Sequence, residues 1–350
     1  MSADIFSKFR KVYNLLEDTI SKDIFAKKVM FYCSSDYNYI FDIVNKYTEC
    51  IDPYFSWKDY IEELKKLSEE KQVVIYGAGG EGYGLQAILK ANNIAADIFA
   101  DRNYEMMQNN VISPEELIKR YHKSNDVVIT IGTEIYFNEI KKYLLENGVD
   151  EKDICGSAAH LEMQYFDNEI IKYVPNEVFV DCGCLNLSTS EQFIKNCSTN
   201  IEKIFAFEPD AHNYENCRNR SEQINQEIEV LPYGVYSDDK RISFLNVAGG
   251  TSRICDNSED VIDVRKLDTI LLNENVTFIK MDIEGAELDA LKGAKAIIQK
   301  NKPKLAISIY HKPEDIIEIP LLLHEILPEY KFYIRHYSIY SVETVLYAII

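Results

Sequence analysis

VFVDCGC, Val178–Cys184, reads as a strand that stops on an acid and turns on a glycine. Its β-branched and aromatic run is too short for a helix, and helical spacing follows at Thr189–Cys197. Outward toward the C-terminus the alternation repeats. KIFAFE (Lys203–Glu208) is a strand, Asn213–Ile224 a helix and IEVLP (Ile228–Pro232) a strand. TFIKMD (Thr277–Asp282) leads into a helix through Leu291, and KLAISI (Lys304–Ile309) is the next strand. Alternating strands and helices predict a parallel sheet covered on both faces. The closing stretch, KFYIRHYSIYSVETVLYAII, reads as two strands across a short turn, a hairpin that adds an antiparallel strand.

Outward toward the N-terminus a second α/β pattern runs from Lys71 to Cys155. The strand Val73–Tyr76 is followed by GAGGEG (Gly77–Gly82) and the helical spacing of Leu85, Ile88 and Leu89. Another strand, Ala96–Ala100, ends at Asp101, and DVVITI (Asp126–Ile131) precedes a helix over Glu134–Asn147. This is the G-x-G-x-x-G pattern of dinucleotide sites, with an acid where a ribose would lie. The same glycines also serve close strand–helix packing, so two readings stand: a nucleotide site and a purely structural Rossmann-like turn. The Tyr-x-x-x-Lys pair of nicotinamide-dependent sugar enzymes is missing: Tyr121, Tyr136 and Tyr143 are followed four residues on by Asn125, Ile140 and Asn147.

The first ~65 residues read as helix, because Ile5, Phe9, Val12, Leu16 and Ile20 share one face. Ser21 is expected to cap a second helix carrying Ile24, Phe25 and Val29. The expected division is a helical arm at 1–68, for packing or homo-oligomer formation, a smaller Rossmann-like domain at 69–158 and the second α/β domain at 170–350.

A chain of 350 residues with 46% hydrophobic and 27% charged residues has the composition of ordinary folded domains. The net charge of −19 disfavours nucleic acid and anionic lipid, whose phosphates demand Lys and Arg patches. No apolar run approaches the ~18 residues of a membrane span, and MSADIFSKFRK has charges where a signal peptide needs an apolar core. The eight cysteines include no C-x-x-C pair and read as reduced thiols, so a cytoplasmic protein without a membrane partner is expected.

The two glycine turns differ by one acid. Asp181 stands just before Gly183, whereas the first turn has no acid at its strand end. A carboxylate there repels a pyrophosphate and suits a cationic cofactor, and S-adenosylmethionine carries an ammonium and a sulfonium but no phosphate. Gly183 is expected to let the backbone approach that cofactor. Glu208, closing the next strand, is placed to accept ribose hydroxyls. Asp282 and His311 also stand at strand carboxyl ends, where ligands bind in such sheets. Glu287 is at helical spacing from Ile283 and Leu291, so part of its motif can serve the helix alone. No dense ligand cluster in the sequence calls for a metal.

At these residues the chain resembles the FkbM family of methyltransferases. The resemblance is carried by VDCGCLNLSTS (180–190), IFAFEPD (204–210), LPYGVYSD (231–238), LDTIL (267–271), FIKMDIEGAELDALKGA (278–294), PKLAISIYHKPEDI (303–316), IRHYS and ETVLYA. It implies a class I methyltransferase fold, a seven-stranded sheet with its last strand antiparallel. It also implies methyl transfer from S-adenosylmethionine to a hydroxyl of a sugar, glycan or secondary metabolite. With the strand-end reading it gives a cofactor set of Asp181, Gly183, Cys184, Ser190, Glu208, Pro209, Asp282 and Glu284. An attacking hydroxyl needs a base: His311 is the first candidate and His336 the second, with Asp282 orienting base or substrate. One departure stands out: the family's turn ends on glycine, and here Leu187 occupies that place, at what would be the cofactor wall. The stretch Ile242–Val264, with its GGTSRI, is expected to close over cofactor or acceptor.

Overall fold

The computed structural model describes residues 3–47, 56–107, 110–124, 126–134, 136–157, 163–245, 253–254 and 260–350. The chain divides into two compact units. One comprises Met1–Val29, Glu162–His336 and Val342–Ile350; the other comprises Met30–Leu161 and Tyr337–Ser341. Among the described residues no helix is long and apolar enough to cross a membrane.

The unit built on Met30–Leu161 holds a five-stranded parallel sheet. Its strands are β1 (Gln72–Tyr76), β2 (Ile98–Ala100), β3 (Val111–Ile112), β4 (Val127–Ile131) and β5 (Ile154–Cys155), in the order β3-β2-β1-β4-β5. Val74, Ile129, Leu117, Ile140 and Leu144 lie in one apolar cluster, so the sheet and the amphipathic helices Pro114–Ser124 and Phe137–Glu146 fold as one core. In the GAGGEG turn Gly82 serves packing, whereas Gly79 and Gly80 have open space beside them. A Cβ on Gly82 would lie 1.9 Å from the Gly77 carbonyl oxygen, so helix Gly80–Ala91 can start there only without a side chain. Asp101 accepts the Ala78 and Asn103 amides at 2.9 and 2.8 Å, tying its carboxylate to the turns around it.

The other unit is built on a seven-stranded sheet. It comprises β6 (Glu177–Cys182), β7 (Ile201–Phe207) and β8 (Ile228–Leu231), then β13 (Phe278–Met281), β14 (Lys304–Ser308), β15 (Lys331–His336) and β16 (Thr344–Ile349). The order is β15-β16-β14-β13-β6-β7-β8, with β16 antiparallel to both neighbours. The seven-stranded sheet with an antiparallel strand expected from the sequence is present. β6 is buried along its whole length, as a central parallel strand must be. Phe179 stacks on Phe193 at 4.2 Å, with Phe278 edge-on to Phe179 and Phe166 beside all three.

A second, four-stranded sheet was not foreseen. The short strands β9 (Gly234–Val235), β10 (Lys240–Leu245), β11 (Arg253–Ile254) and β12 (Val261–Arg265) form it in the order β11-β10-β12-β9. GGTSRI lies mostly outside the described residues, at 249–252.

The arm expected over 1–68 is not one body. Its first 29 residues group with the seven-stranded sheet and the rest with the five-stranded one. Glu17 donates its amide to the Phe332 carbonyl, and Asp18 takes the Arg335 guanidinium at 2.7 Å. Asp18, not Ser21, caps the helix Thr19–Ser34, accepting the Ser21 amide at 2.7 Å. Ser21 is buried inside that helix, and its hydroxyl takes the Ile334 amide. The stretch before residue 170 also contributes buried groups, among them Tyr165 and Phe166.

Candidate active site

The sheet order reverses at β6: the chain steps outward through β7 and β8 on one side and returns through β13 and β14 on the other. Such reversal points leave a crevice beyond the strand carboxyl ends. A cavity of about 130 Å³ opens there. Gly183, Leu185, Glu208, Pro209 and Asn213 line it from the β6 and β7 ends, and Asp282, Ile283, Glu284 and Ala286 from the β13 end. Tyr233, Gly234, Val235, Phe244, Ile262 and Val264 form an apolar wall from the small sheet. Five of the predicted cofactor residues therefore meet at one cavity: Gly183, Glu208, Pro209, Asp282 and Glu284.

Asp181, Ser190 and Cys184 are not in that lining. Asp181 is fully buried, pairing with Lys280 at 3.0 Å and accepting the Ser190 hydroxyl at 2.8 Å. Lys280, 2% exposed, also donates to the Gly183 and Cys182 carbonyls at 2.8 and 3.3 Å. Burial pulls its pKa down, and the charges of Asp181 and Asp282 outweigh this, leaving it above the ordinary lysine value. The acid read as a selector of cationic cofactors is thus neutralised inside the protein and shapes the turn from within. Gly183 also differs from expectation. With φ +78°, its missing Cβ makes room for the Asp282 carbonyl oxygen, 2.1 Å from where that atom would sit. The glycine lets two strand ends approach each other. Cys184 points into a cluster with Leu187, Ala206 and Cys217, its sulfur 3.8 Å from that of Cys217.

Leu187 is fully buried in this cluster and holds φ +65° as the residue before helix Ser188–Asn196. The left-handed backbone accounts for a glycine preference at this place. The leucine adopts it at a cost of about 1–2 kcal/mol and buries its side chain away from the cavity. Leu185, also at positive φ, is the leucine that reaches the wall.

Glu208 is 6% exposed and accepts the Leu185 and Asp210 amides at 3.0 and 2.9 Å. Burial pushes its carboxyl up to about 7 against the pull of those amides. Asp282 is ringed by donors: the hydroxyls of Tyr165 at 2.8 Å and Tyr310 at 3.3 Å, and His311 Nε2 at 3.4 Å. Burial would raise its carboxyl, but Lys280, His311 and the hydroxyl donors hold it below the usual carboxylate range.

His311 lies beside it, between three acids. Its Nδ1 is 2.9 Å from Glu287 Oε1, and its Nε2 is also 3.7 Å from Glu284 Oε2. Burial lowers the imidazole pKa, yet Glu287, Asp282 and Glu284 together raise it to about 9. The sequence reading took an imidazole titrating near neutrality; here it carries a proton at neutral pH. Glu343, beside Tyr310, is pushed up to about 7 by burial and by Asp282. Tyr165, Glu284 and Glu343 all hold positive φ, as strained residues around working sites often do.

His336 is not in this group. It ends β15, buried, with Nδ1 2.9 Å from the Thr344 hydroxyl across the hairpin, and it is outside the cavity lining. Asp282, Glu287 and His311 bring one donor atom each within 4.8 Å of one another. This three-dimensional cluster is invisible in the sequence spacing, and the imidazole–carboxylate pairing accounts for its geometry. Sequence reading also missed Tyr165, Lys280 and the apolar wall. The alternating apolar residues of Ile242–Phe244 and Val261–Val264 were the available signal for the wall.

Residues 181–332 match the family model for the methyltransferase FkbM domain. Over these residues the chain carries an FkbM methyltransferase domain. The match begins at the acid of the glycine turn and ends in β15, spanning every strand end that lines the cavity. The solved FkbM methyltransferase of Methylobacillus flagellatus is 21% identical at a TM-score of 0.50, over 90% of this chain and 98% of that one. That likeness shows the fold. An rRNA methylase of Streptococcus thermophilus is 14% identical over 50% of this chain and 87% of its own, at a TM-score of 0.32. An S-adenosylmethionine-dependent methyltransferase of Aquifex aeolicus is 13% identical over 54% of this chain and 92% of its own, also at 0.32. Among curated proteins none matches the chain significantly.

Proposed function

We propose that the FkbM domain binds S-adenosylmethionine in the cavity at the ends of β6, β7 and β13. There it transfers the methyl group to a hydroxyl of a small-molecule or glycan acceptor, a sugar or secondary metabolite being the expected class. The observation that carries this reading is the division of the lining. One wall is apolar, from Phe244, Ile262 and Val264, and suits a flat purine. The Glu208 carboxylate has spare lone pairs for two ribose hydroxyls, held in place by the amides it already accepts. Asp282 and Glu284 supply negative charge on the β13 side for an ammonium or sulfonium. With Asp181 paired to Lys280, these are the acids that favour a cationic ligand. Leu187 is packed in a core cluster and leaves the cavity free for the cofactor.

Behind Asp282 the hydroxyls of Tyr165, Ser308 and Tyr310 and the groups of Gln164 and Glu343 form a polar network that fixes this carboxylate, beside which the acceptor oxygen would be held. Holding that oxygen in line with the methyl–sulfur bond supplies several kcal/mol of the barrier reduction. Calorimetry with S-adenosylmethionine tests the cofactor assignment. Binding is expected for the wild type, weakened at least tenfold by Glu208→Ala; no heat from the wild type overturns the reading. Transfer of labelled methyl onto a panel of sugars and hydroxylated metabolites tests the acceptor class.

A further inference from the structure

His311 has two nitrogens in two different environments. Nδ1 faces Glu287, whose side chain is fully buried, and Nε2 faces Asp282 and Glu284, which line the cavity. Glu287 is itself fixed, because the same Oε1 accepts the Ile283 amide at 2.8 Å. The ring face is set by Tyr310, with centroids 4.2 Å apart. His311 is itself outside the cavity lining, and it is through these two acids that Nε2 borders the cavity; a carboxylate on one nitrogen is the arrangement by which proteins orient a basic imidazole. Resting on the methyltransferase reading above, we propose that Glu287 is a positioning residue that holds His311 with Nε2 toward the acceptor hydroxyl, whose proton that nitrogen takes.

The step balances. The acceptor oxygen forms a bond to the methyl carbon, the carbon–sulfur bond breaks with its electron pair going to sulfur, and the hydroxyl proton goes to Nε2. Nδ1–H stays toward Glu287 throughout, which fixes the tautomer. A second buried acid, Asp315, lies near enough that the charge of Glu287, after burial, pushes its carboxyl up to about 7. Of these two acids Glu287 is the one whose oxygen lies 2.9 Å from the imidazole Nδ1. The groups acting on His311 come from every side: Asp282 at the β13 end, Glu284 in the following loop, Glu287 in helix Glu287–Lys292 and Glu343 before β16. Lys280 acts on Asp282, and Lys312 on Asp315.

If Glu287 merely ties down the Ile283 amide, its removal changes stability and leaves His311 alone. Labelled-histidine NMR on the full chain separates the two roles, with His311 assigned by its loss in His311→Gln. The His311 midpoint is expected near pH 9 in the wild type and shifted toward the ordinary 6.5 in Glu287→Gln. An unmoved midpoint overturns the proposal. In methyl-transfer assays the wild-type rate is expected to climb with pH to about 9, and Glu287→Gln to lower that midpoint. Glu287→Ala is expected to lose at least tenfold in the limiting kcat reached above pH 9, where His311 is neutral in both proteins, with S-adenosylmethionine affinity unchanged. An Ala variant with wild-type kcat overturns the proposal too. If Glu287→Gln does not fold, Glu287→Asp serves, since it keeps the charge and withdraws it from Nδ1; a kcat equal to wild type is the overturning result there. Failure of the wild type to bind S-adenosylmethionine strikes the methyltransferase reading instead, and the NMR titration still reports on the pair.

Discussion

The two glycine turns, Gly77–Gly82 after β1 and Asp181–Cys184 at the end of β6, look like variants of one motif and solve the same packing problem. In each, a glycine has no room for a Cβ because a backbone carbonyl lies about 2 Å away: that of Gly77 for Gly82, that of Asp282 for Gly183. They part company in their acids. Asp101 accepts the amides of Ala78 and Asn103. Asp181 turns inward to Lys280, while Glu208 and Asp282 at the neighbouring strand ends remain on the cavity wall. A glycine turn therefore reports close packing first. The chemistry of the place is set by which strand-end acids are left facing a cavity.

The largest effect expected from breaking this comparison is at the hidden pair. Lys280→Ala leaves Asp181 buried with an uncompensated charge, which costs about 3–5 kcal/mol. A urea titration measures it. The double variant Asp181→Asn/Lys280→Met should recover most of that loss and keep S-adenosylmethionine affinity, since neither group is in the cavity lining; a double variant that folds and no longer binds would show that the acid touches the cofactor. Next comes Leu187→Ala, expected to cost about 2–4 kcal/mol for the lost burial while leaving affinity within twofold. A large loss of affinity at unchanged stability would mean the leucine faces the ligand. The glycines follow. Gly82→Ala and Gly183→Ala should each destabilise by about 2 kcal/mol or more, from the displaced carbonyl in both and from φ at Gly183. Only Gly183→Ala should weaken S-adenosylmethionine in calorimetry; equal weakening by both would erase the distinction between the turns.

The alternation of strands and helices was legible because a central parallel strand must be apolar on both faces, as VFV is. Glu208 and Asp282 were legible because a strand's last residue is fixed by its pattern. The roles of Asp181 and Gly183 were not, since their partners, Lys280 and the Asp282 carbonyl, come from β13 and the loop after it. Lys280 reads as the outward residue of an alternating strand, yet it is buried in a sheet covered on both faces. The pair His311–Glu287 joins the end of one strand to a helix that follows another, a proximity no spacing rule contains. The small sheet escaped because two of its four strands are only two residues long, too short for alternation to show.

The subtlest test concerns the acid on which the cofactor reading rests. Glu208 has a folded pKa of about 7, above its ordinary 4.5, because burial disfavours its charge. A raised carboxyl contributes stability that is complete below pH 4.5 and is lost as pH rises through 7. Accepting ribose hydroxyls calls for the opposite state, the anion, which spreads as pH rises through the same value. Stability and affinity should therefore move in opposite directions between pH 6 and 8. If only the anion binds, affinity rises roughly tenfold over that interval, about 1.4 kcal/mol. Glu208→Gln, neutral at every pH, should flatten its share of both slopes and bind weakly throughout. Calorimetry at pH 6, 7 and 8 beside thermal melts reads the two slopes together. An affinity that ignores pH while the melts respond would leave Glu208 a buried acid of the β7 end with no part in holding the ribose.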